Sequence, residues 1–244
     1  MVLFRSLIYW LAFIVVTPIY AIFCLLSVLV LKPVPRYKFT TGWCRIMLAW
    51  LQLTCGLKYK VIGRENIINQ PAMMMSKHQS AWETLALTQI FPPFVYVLKR
   101  ELFKIPFFGW GLRTVSPIAI DRSNRAEAQR LLMAQGHSRL KEGFWIGIFP
   151  EGTRVKPGVR AQYKQGGARL ALSLGIPIVP VALNSGEFWP KNSLRKYPGT
   201  ITVSIGPAIS TAGRTADDIM REVENWIETE LARIGGVGPC YPRT

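Results

Sequence analysis

The chain holds two histidines in 244 residues, and one of them, His78, stands five positions ahead of Glu83 in the stretch SKHQSAWE. On one regular helix, positions i and i+5 lie about 140° apart. The two side chains therefore meet only if His78 sits in a turn ahead of a helix and Glu83 folds back from its first turn. In that arrangement the carboxylate would fix the imidazole tautomer and stabilise the imidazolium. The imidazole would then take a proton from an attacking hydroxyl, a step worth about 10²–10⁴ in rate. The plain alternative is a helix start with an acid in its first turn, which the macrodipole favours by itself. Ser80 suits a helix cap more simply than a nucleophile.

Three further stretches have chemical potential. FPEGTR, residues 149–154, follows the apolar run FWIGI and makes a compact polar turn of Glu151, Gly152, Thr153 and Arg154. Arginine grips phosphate bidentately, and glycine lets backbone approach a ligand closely. IAIDRSNR, residues 118–125, delivers Asp121 and Arg122 to the end of an apolar run. A phosphate-gripping arginine and a structural Asp–Arg turn fit this stretch equally well. GIPIVPVAL, residues 175–183, is an apolar run carrying Pro177 and Pro180, which reads most simply as a packing strand.

Short apolar runs alternate with helical patterns from residue 57 onward. Strands are predicted over 58–62, 72–76, 94–98, 115–120, 144–150, 178–182 and 201–205, and helices over 81–90, 124–142, 166–174 and 215–234. That rhythm predicts an α/β domain with a mixed, mostly parallel sheet flanked by helices. His78 and FPEGTR then both fall at carboxyl ends of strands, where open α/β sheets bind ligands. His137 falls on the helix over 124–142, at the surface.

Thirty Lys and Arg against fourteen Asp and Glu give a net charge of +16, a surface that seeks polyanions. From Ser6 to Leu31 the chain carries no charge for 26 residues, long enough for a bilayer core of about 30 Å. Arg5 precedes this run, and Lys32, Arg36 and Lys38 follow it. The run is too long for a signal-peptide core, and no Ala-x-Ala-like site follows. Pro18 either kinks the segment or splits it, so it crosses the membrane or folds over in one leaflet. The trailing cations put the rest of the chain on the cytoplasmic side of an inner or cytoplasmic membrane. The helical pattern over 40–56, with Trp43, Met47, Trp50 and Leu51 on one face, lies against the membrane, against the first segment or in the core. The expected organisation is a membrane anchor and amphipathic helix over 1–56, a catalytic domain over 57–234 and a tail over 235–244. The excess charge then suits anionic lipid, and no nucleic-acid-binding pattern stands out. Four scattered cysteines, Cys24, Cys44, Cys55 and Cys240, predict free thiols rather than disulfides or a metal site. No P-loop, dinucleotide fingerprint or metal-ligand cluster is visible.

In order and spacing, HQSAWE, GWGLRTVSPIAIDR, FPEGTR and IPIVPVA resemble the four blocks of the 1-acylglycerol-3-phosphate acyltransferase (lysophosphatidate acyltransferase) family. The resemblance covers residues 59 to 183. It implies acyl transfer from acyl-CoA or acyl carrier protein, as co-substrate and with no other cofactor, to the sn-2 hydroxyl of lysophosphatidate, giving phosphatidate at a membrane. It implies His78 as general base with Glu83 as its orienting partner. It places Glu151, Gly152, Thr153 and Arg154, with Arg122, near the acceptor's glycerol phosphate. Lys99 and Lys104, between the first two blocks, either add positive charge there or belong to a solvated basic face. Two departures stand out: the family's acid is usually Asp where this chain has Glu83, and the residue before the histidine is usually Asn where this chain has Lys77, a phosphate helper or a solvated side chain. Another lysolipid acceptor, such as an ornithine-derived lipid, would show the same blocks. A non-catalytic basic membrane adaptor is the reading from a different class.

Overall fold

The computed structural model describes residues 1–120 and 125–241, with the backbone alone over 125–129. Two long helices, α1 (Val2–Ser27) and α2 (Pro33–Cys55), precede an alternation of strands and helices. The seven predicted strands all form: β1 (Leu57–Ile62), β2 (Met73–Ser76), β3 (Phe94–Lys99), β4 (Ile118–Ile120), β5 (Trp145–Ile148), β6 (Ile178–Leu183) and β7 (Gly199–Ile205). The helices among them are α3 (Trp82–Ile90), α4 (Phe108–Thr114), α5 (Arg125–Lys141), α6 (Gly166–Leu174) and α7 (Ala216–Ile234). The strands make one sheet in the order β1-β7-β6-β2-β5-β3-β4. Every neighbouring pair is parallel except β6 with β7.

The sheet is buried on both faces, which is why β2 (MMMS) and β6 (IVPVAL) are apolar almost throughout. Successive side chains alternate between faces. Met74 joins a cluster with α1, α2 and α3, whereas Met73 and Met75 join one with α6 and α7. The edge strand β1 instead turns Lys58 and Lys60 outward, which discourages edge-to-edge pairing. At the centre, Met75 stands level with Ile148 of β5 and Pro180 of β6. β2 and β5 end within one residue of this level and β6 runs on to Leu183, so the loops that follow leave from the same end of the sheet.

Two expectations need adjustment. Helix α2 begins at Pro33 rather than Thr40, because proline is well suited to the first helical position, where its missing N–H costs nothing. Gly56 ends the helix in the left-handed conformation at φ 68°, as its place in sequence suggests. Strand β4 starts at Ile118, after Pro117.

Helix α1 runs unbroken through Pro18 and docks along one face. Its Trp10 Nε1–H donates to the Leu194 carbonyl at 3.2 Å, and its Ser6 hydroxyl accepts the Lys196 N–H at 2.9 Å. The buried Lys196 ammonium lies 4.6, 4.0 and 4.4 Å from the ring centres of Tyr9, Trp10 and Trp189. On the opposite face Phe4, Leu11, Ile14, Ile19 and Phe23 are bare.

Candidate active site

Strand β2 ends at Ser76, and α3 begins at Trp82, so His78 sits in the turn between them. Glu83, in the first turn of α3, is fully buried and folds back over that turn. Its Oε1 stands 2.8 Å from His78 Nδ1 and accepts the backbone N–H groups of Gln79 and Ser80, each at 2.7 Å. Ser80 Oγ in turn accepts the Trp82 N–H at 3.2 Å. Ser80 and Glu83 thus satisfy backbone donors of the turn and helix start much as a capping box does, with the serine oxygen taking the Trp82 N–H in place of that of Glu83. The two meanings of the His–Glu spacing coincide, since one carboxylate both starts the helix and holds the imidazole.

The tautomer follows from valence. An ionised carboxylate only accepts hydrogen bonds, so Nδ1 is the donor and Nε2 carries the lone pair. Nε2 has no protein partner among the described residues. The ring lies flat on Phe149, at 3.9 Å between centres and 13° between planes, and Tyr96 stacks on Phe149 in turn. Contact and hydrogen bond together leave the imidazole little freedom.

A residue outside the predicted blocks completes the set. Ser185, just past β6, donates its hydroxyl to Glu83 Oε2 at 2.7 Å in a fully buried position. The neighbouring Gly186 N–H donates to Gln79 Oε1 at 3.1 Å. The sequence carries a weak signal for Ser185: it is a small polar residue directly beyond an apolar strand that borders β2.

Glu151 and Lys77 lie elsewhere than the sequence suggests. Glu151 is buried behind the turn that carries His78, where its Oε2 accepts the His78 N–H at 2.7 Å. Lys77, far from solvated, is almost completely buried and bridges two carboxylates, Glu151 and Glu228 of α7, at 2.8 Å each. Tyr163 donates to Glu228 at 2.9 Å. Burial raises the Glu151 pKa, against the pull of the Lys77 ammonium and the His78 N–H. His78 is thereby fixed through its backbone from below and through its ring from the side. Where the family usually has Asn, this chain places a cation whose counter-charges come from FPEGTR and α7.

His78 lines a groove of about 1080 Å³ that runs between the sheet and helices α1, α2 and α4. Thr17, Tyr20, Trp43, Leu85, Phe108 and Leu112 line its mostly apolar walls. Gly152, Thr153 and Arg154 line it on the turn whose next residue, Val155, donates its N–H to the His78 carbonyl, and Lys99, Lys164 and Arg169 line it as well. Gly152 holds φ 71°, and a Cβ there would stand 3.0 Å from Lys164 Nζ, so glycine serves both the turn and the close approach. Lys191 Nζ donates to the Arg154 carbonyl at 2.8 Å and pins the turn. Arg122 lies outside the described residues. His137 is exposed, and the four cysteines are free.

An oriented imidazole beside a mostly apolar groove whose lining also carries cations suits proton transfer at the hydroxyl of an anionic amphiphile. The Acyltransferase family model matches residues 58–184, from β1 to just past β6, and the chain belongs to that family. It is 44% identical over 206 residues to a 1-acyl-sn-glycerol-3-phosphate acyltransferase of Pseudomonas aeruginosa, covering 83% of this chain and 80% of the relative. The Saccharomyces cerevisiae protein of that name is 35% identical, over 69% of this chain and 57% of its own length. The crystal structure of the 1-acyl-sn-glycerophosphate acyltransferase PlsC from Thermotoga maritima shares the fold, with a TM-score of 0.77 over 95% of each chain at 22% identity.

Proposed function

We propose that this chain transfers a fatty acyl group from acyl-CoA or acyl carrier protein to the sn-2 hydroxyl of lysophosphatidate, giving phosphatidate. The observation that carries this reading is the His78–Glu83 pair at a groove with Arg154 beside it. His78 Nε2 takes the acceptor's hydroxyl proton as the oxygen bonds to the thioester carbonyl carbon. The carbon–sulfur bond then breaks, and the imidazolium returns its proton to the departing sulfur. A thiolate is a good leaving group, so no covalent enzyme intermediate is needed. Arg154 and Lys164, with Arg122, hold the acceptor phosphate by charge-assisted hydrogen bonds. The donor is acidic in either form, which suits a chain of net charge +16.

The protein works at a cytoplasmic membrane face. Helix α1 is docked from Ser6 and Trp10 at one end to Tyr20 at the other, where the Tyr20 hydroxyl donates to the Phe39 carbonyl. That docking supports a helix lying in one leaflet with its bare face toward the acyl chains. The test is steady-state turnover of lysophosphatidate with labelled acyl-CoA and acyl carrier protein, for wild type and Arg154→Ala. The reading expects phosphatidate, and an acceptor KM that rises about tenfold or more while the donor KM stays put. No turnover with either donor, or a selective donor defect, overturns it.

A further inference from the structure

Between β3 and β4 the chain folds as a 3₁₀ turn over Arg100–Lys104 followed by α4. This segment, residues 99–114, exposes large apolar side chains: Leu102 is 37% exposed, Ile105 44%, Phe107 36% and Trp110 41%. Around them stand Lys99, Arg100, Lys104 and Arg113 against one acid, Glu101. Apolar and aromatic knobs ringed by cations match the boundary layer of an anionic leaflet.

The placement adds to the composition. Helix α4 packs against α1 and is tied to α2, since Arg36 Nε donates to the Thr114 carbonyl at 2.8 Å and the Thr40 and Thr114 hydroxyls meet at 2.9 Å. The exposed knobs therefore sit beside the helix whose bare face is apolar. Phe107 adopts φ 58° and ψ −58°, with the Phe108 N–H bonded to the Pro106 carbonyl at 2.6 Å. That is the strained form of γ-turn, rare for any residue with a side chain. Here it puts the Phe107 ring against Trp110, 4.8 Å between centres, instead of in a core. Leu102, Phe107, Phe108, Gly111 and Leu112 of the same segment line the groove.

We propose that segment 99–114 is a second membrane-seated element, which sets Ile105 and Trp110 into an anionic leaflet and forms the lipid-side entrance to the groove. Acyl chains then pass sideways from the leaflet to His78 without crossing water. The inference rests on the membrane-bound transferase reading. It favours a lipid surface over a protein because its apolar knobs are carried by a segment packed against α1, whose exposed face is itself apolar.

Depth measurement tests it on the full chain in vesicles. A nitroxide is attached at Trp110→Cys, and for comparison at Arg221→Cys on α7 across the sheet, each with Cys240→Ser. In phosphatidylglycerol vesicles the label at 110 should be shielded from an aqueous nickel chelate and open to oxygen, less so in phosphatidylcholine, while the label at 221 stays in water. Equal aqueous exposure at both sites overturns the proposal, as does shielding of 110 by acyl carrier protein but not by vesicles. Activity gives a second readout. Ile105→Ser/Trp110→Ser should lose about tenfold or more on vesicle-borne lysophosphatidate, with little loss on a short-chain monomeric acceptor. Equal losses on both presentations, or none on either, overturn it. Wild type inactive on every acceptor would sink the transferase reading, while the label depth would still decide the insertion.

Discussion

Lys77→Met keeps the bulk of the buried stem and removes its ammonium. In the wild type, Nζ stands 2.8 Å from carboxylate oxygens of both Glu151 and Glu228, whose side chains are 0% and 21% exposed. At an effective dielectric of about 20, each contact carries about 6 kcal/mol of Coulomb attraction, much of it offset by the desolvation of the charges. Removing one partner of a buried pair costs about 3–5 kcal/mol because the other charge is left uncompensated. Glu151 has a partial escape, since burial already raises its pKa and the variant sheds the charge by taking a proton. We therefore expect a loss of about 2–4 kcal/mol near pH 8, or about 5–15 °C in apparent Tm for a chain of this size. The pH dependence follows from linkage. Without Lys77, the folded-state pKa of Glu151 climbs further above its unfolded value. Between those two values the folded state holds more protons than the unfolded one, so stability falls as pH rises. The deficit against wild type should thus be smallest in acid and largest above the folded pKa. Lys77→Met/Glu151→Gln should recover most of it, because glutamine still accepts the His78 N–H without a charge. Thermal scans in detergent from about pH 5 to about pH 9 measure this. A deficit independent of pH, or a double variant no better than the single one, would refute the reasoning.

Two further outcomes follow from buried polar contacts. Ser185→Ala leaves Glu83 Oε2 without its hydroxyl donor in a dry position, a change worth about 1–3 kcal/mol. We expect kcat to fall about tenfold with KM nearly unchanged, read from saturation curves. Lys196 sits among three rings and one carbonyl, and burial lowers its pKa from 10.5 to about 7. Between those values the folded state binds fewer protons than the unfolded one, so this lysine makes stability rise with pH over that window. Lys196→Met should remove that rise, and a matching pH slope in both proteins would contradict the assignment.

The strand rhythm was legible because the central strands are buried on both faces and read as uninterrupted apolar runs. Helix α4 and the turn before it were not, since Pro106, Gly109 and Gly111 erase the helical pattern that packing against α1 restores. In the site, His78 and Glu83 were visible because their contact is local, five residues apart, and coincides with a helix start. Ser185 reaches Glu83 across 102 residues and Lys77 reaches Glu228 across 151, and no spacing rule spans such separations. Glu151 was visible as a member of FPEGTR, yet its direction depends on a lysine contributed by β2's exit turn. The intact His78–Glu83 pair and the acyltransferase family membership leave the non-catalytic adaptor without support.

The central claim is that His78, oriented by Glu83, is the base that activates the acceptor hydroxyl. The direct measurement compares purified wild type with His78→Ala in detergent, supplied with lysophosphatidate and labelled acyl-CoA or acyl carrier protein, counting phosphatidate formed. The fold of the variant is checked by its apparent Tm. The account predicts turnover by wild type and a loss of about 10²–10⁴-fold or more in a variant that still folds. A folded variant that turns over nearly as fast as wild type would contradict it.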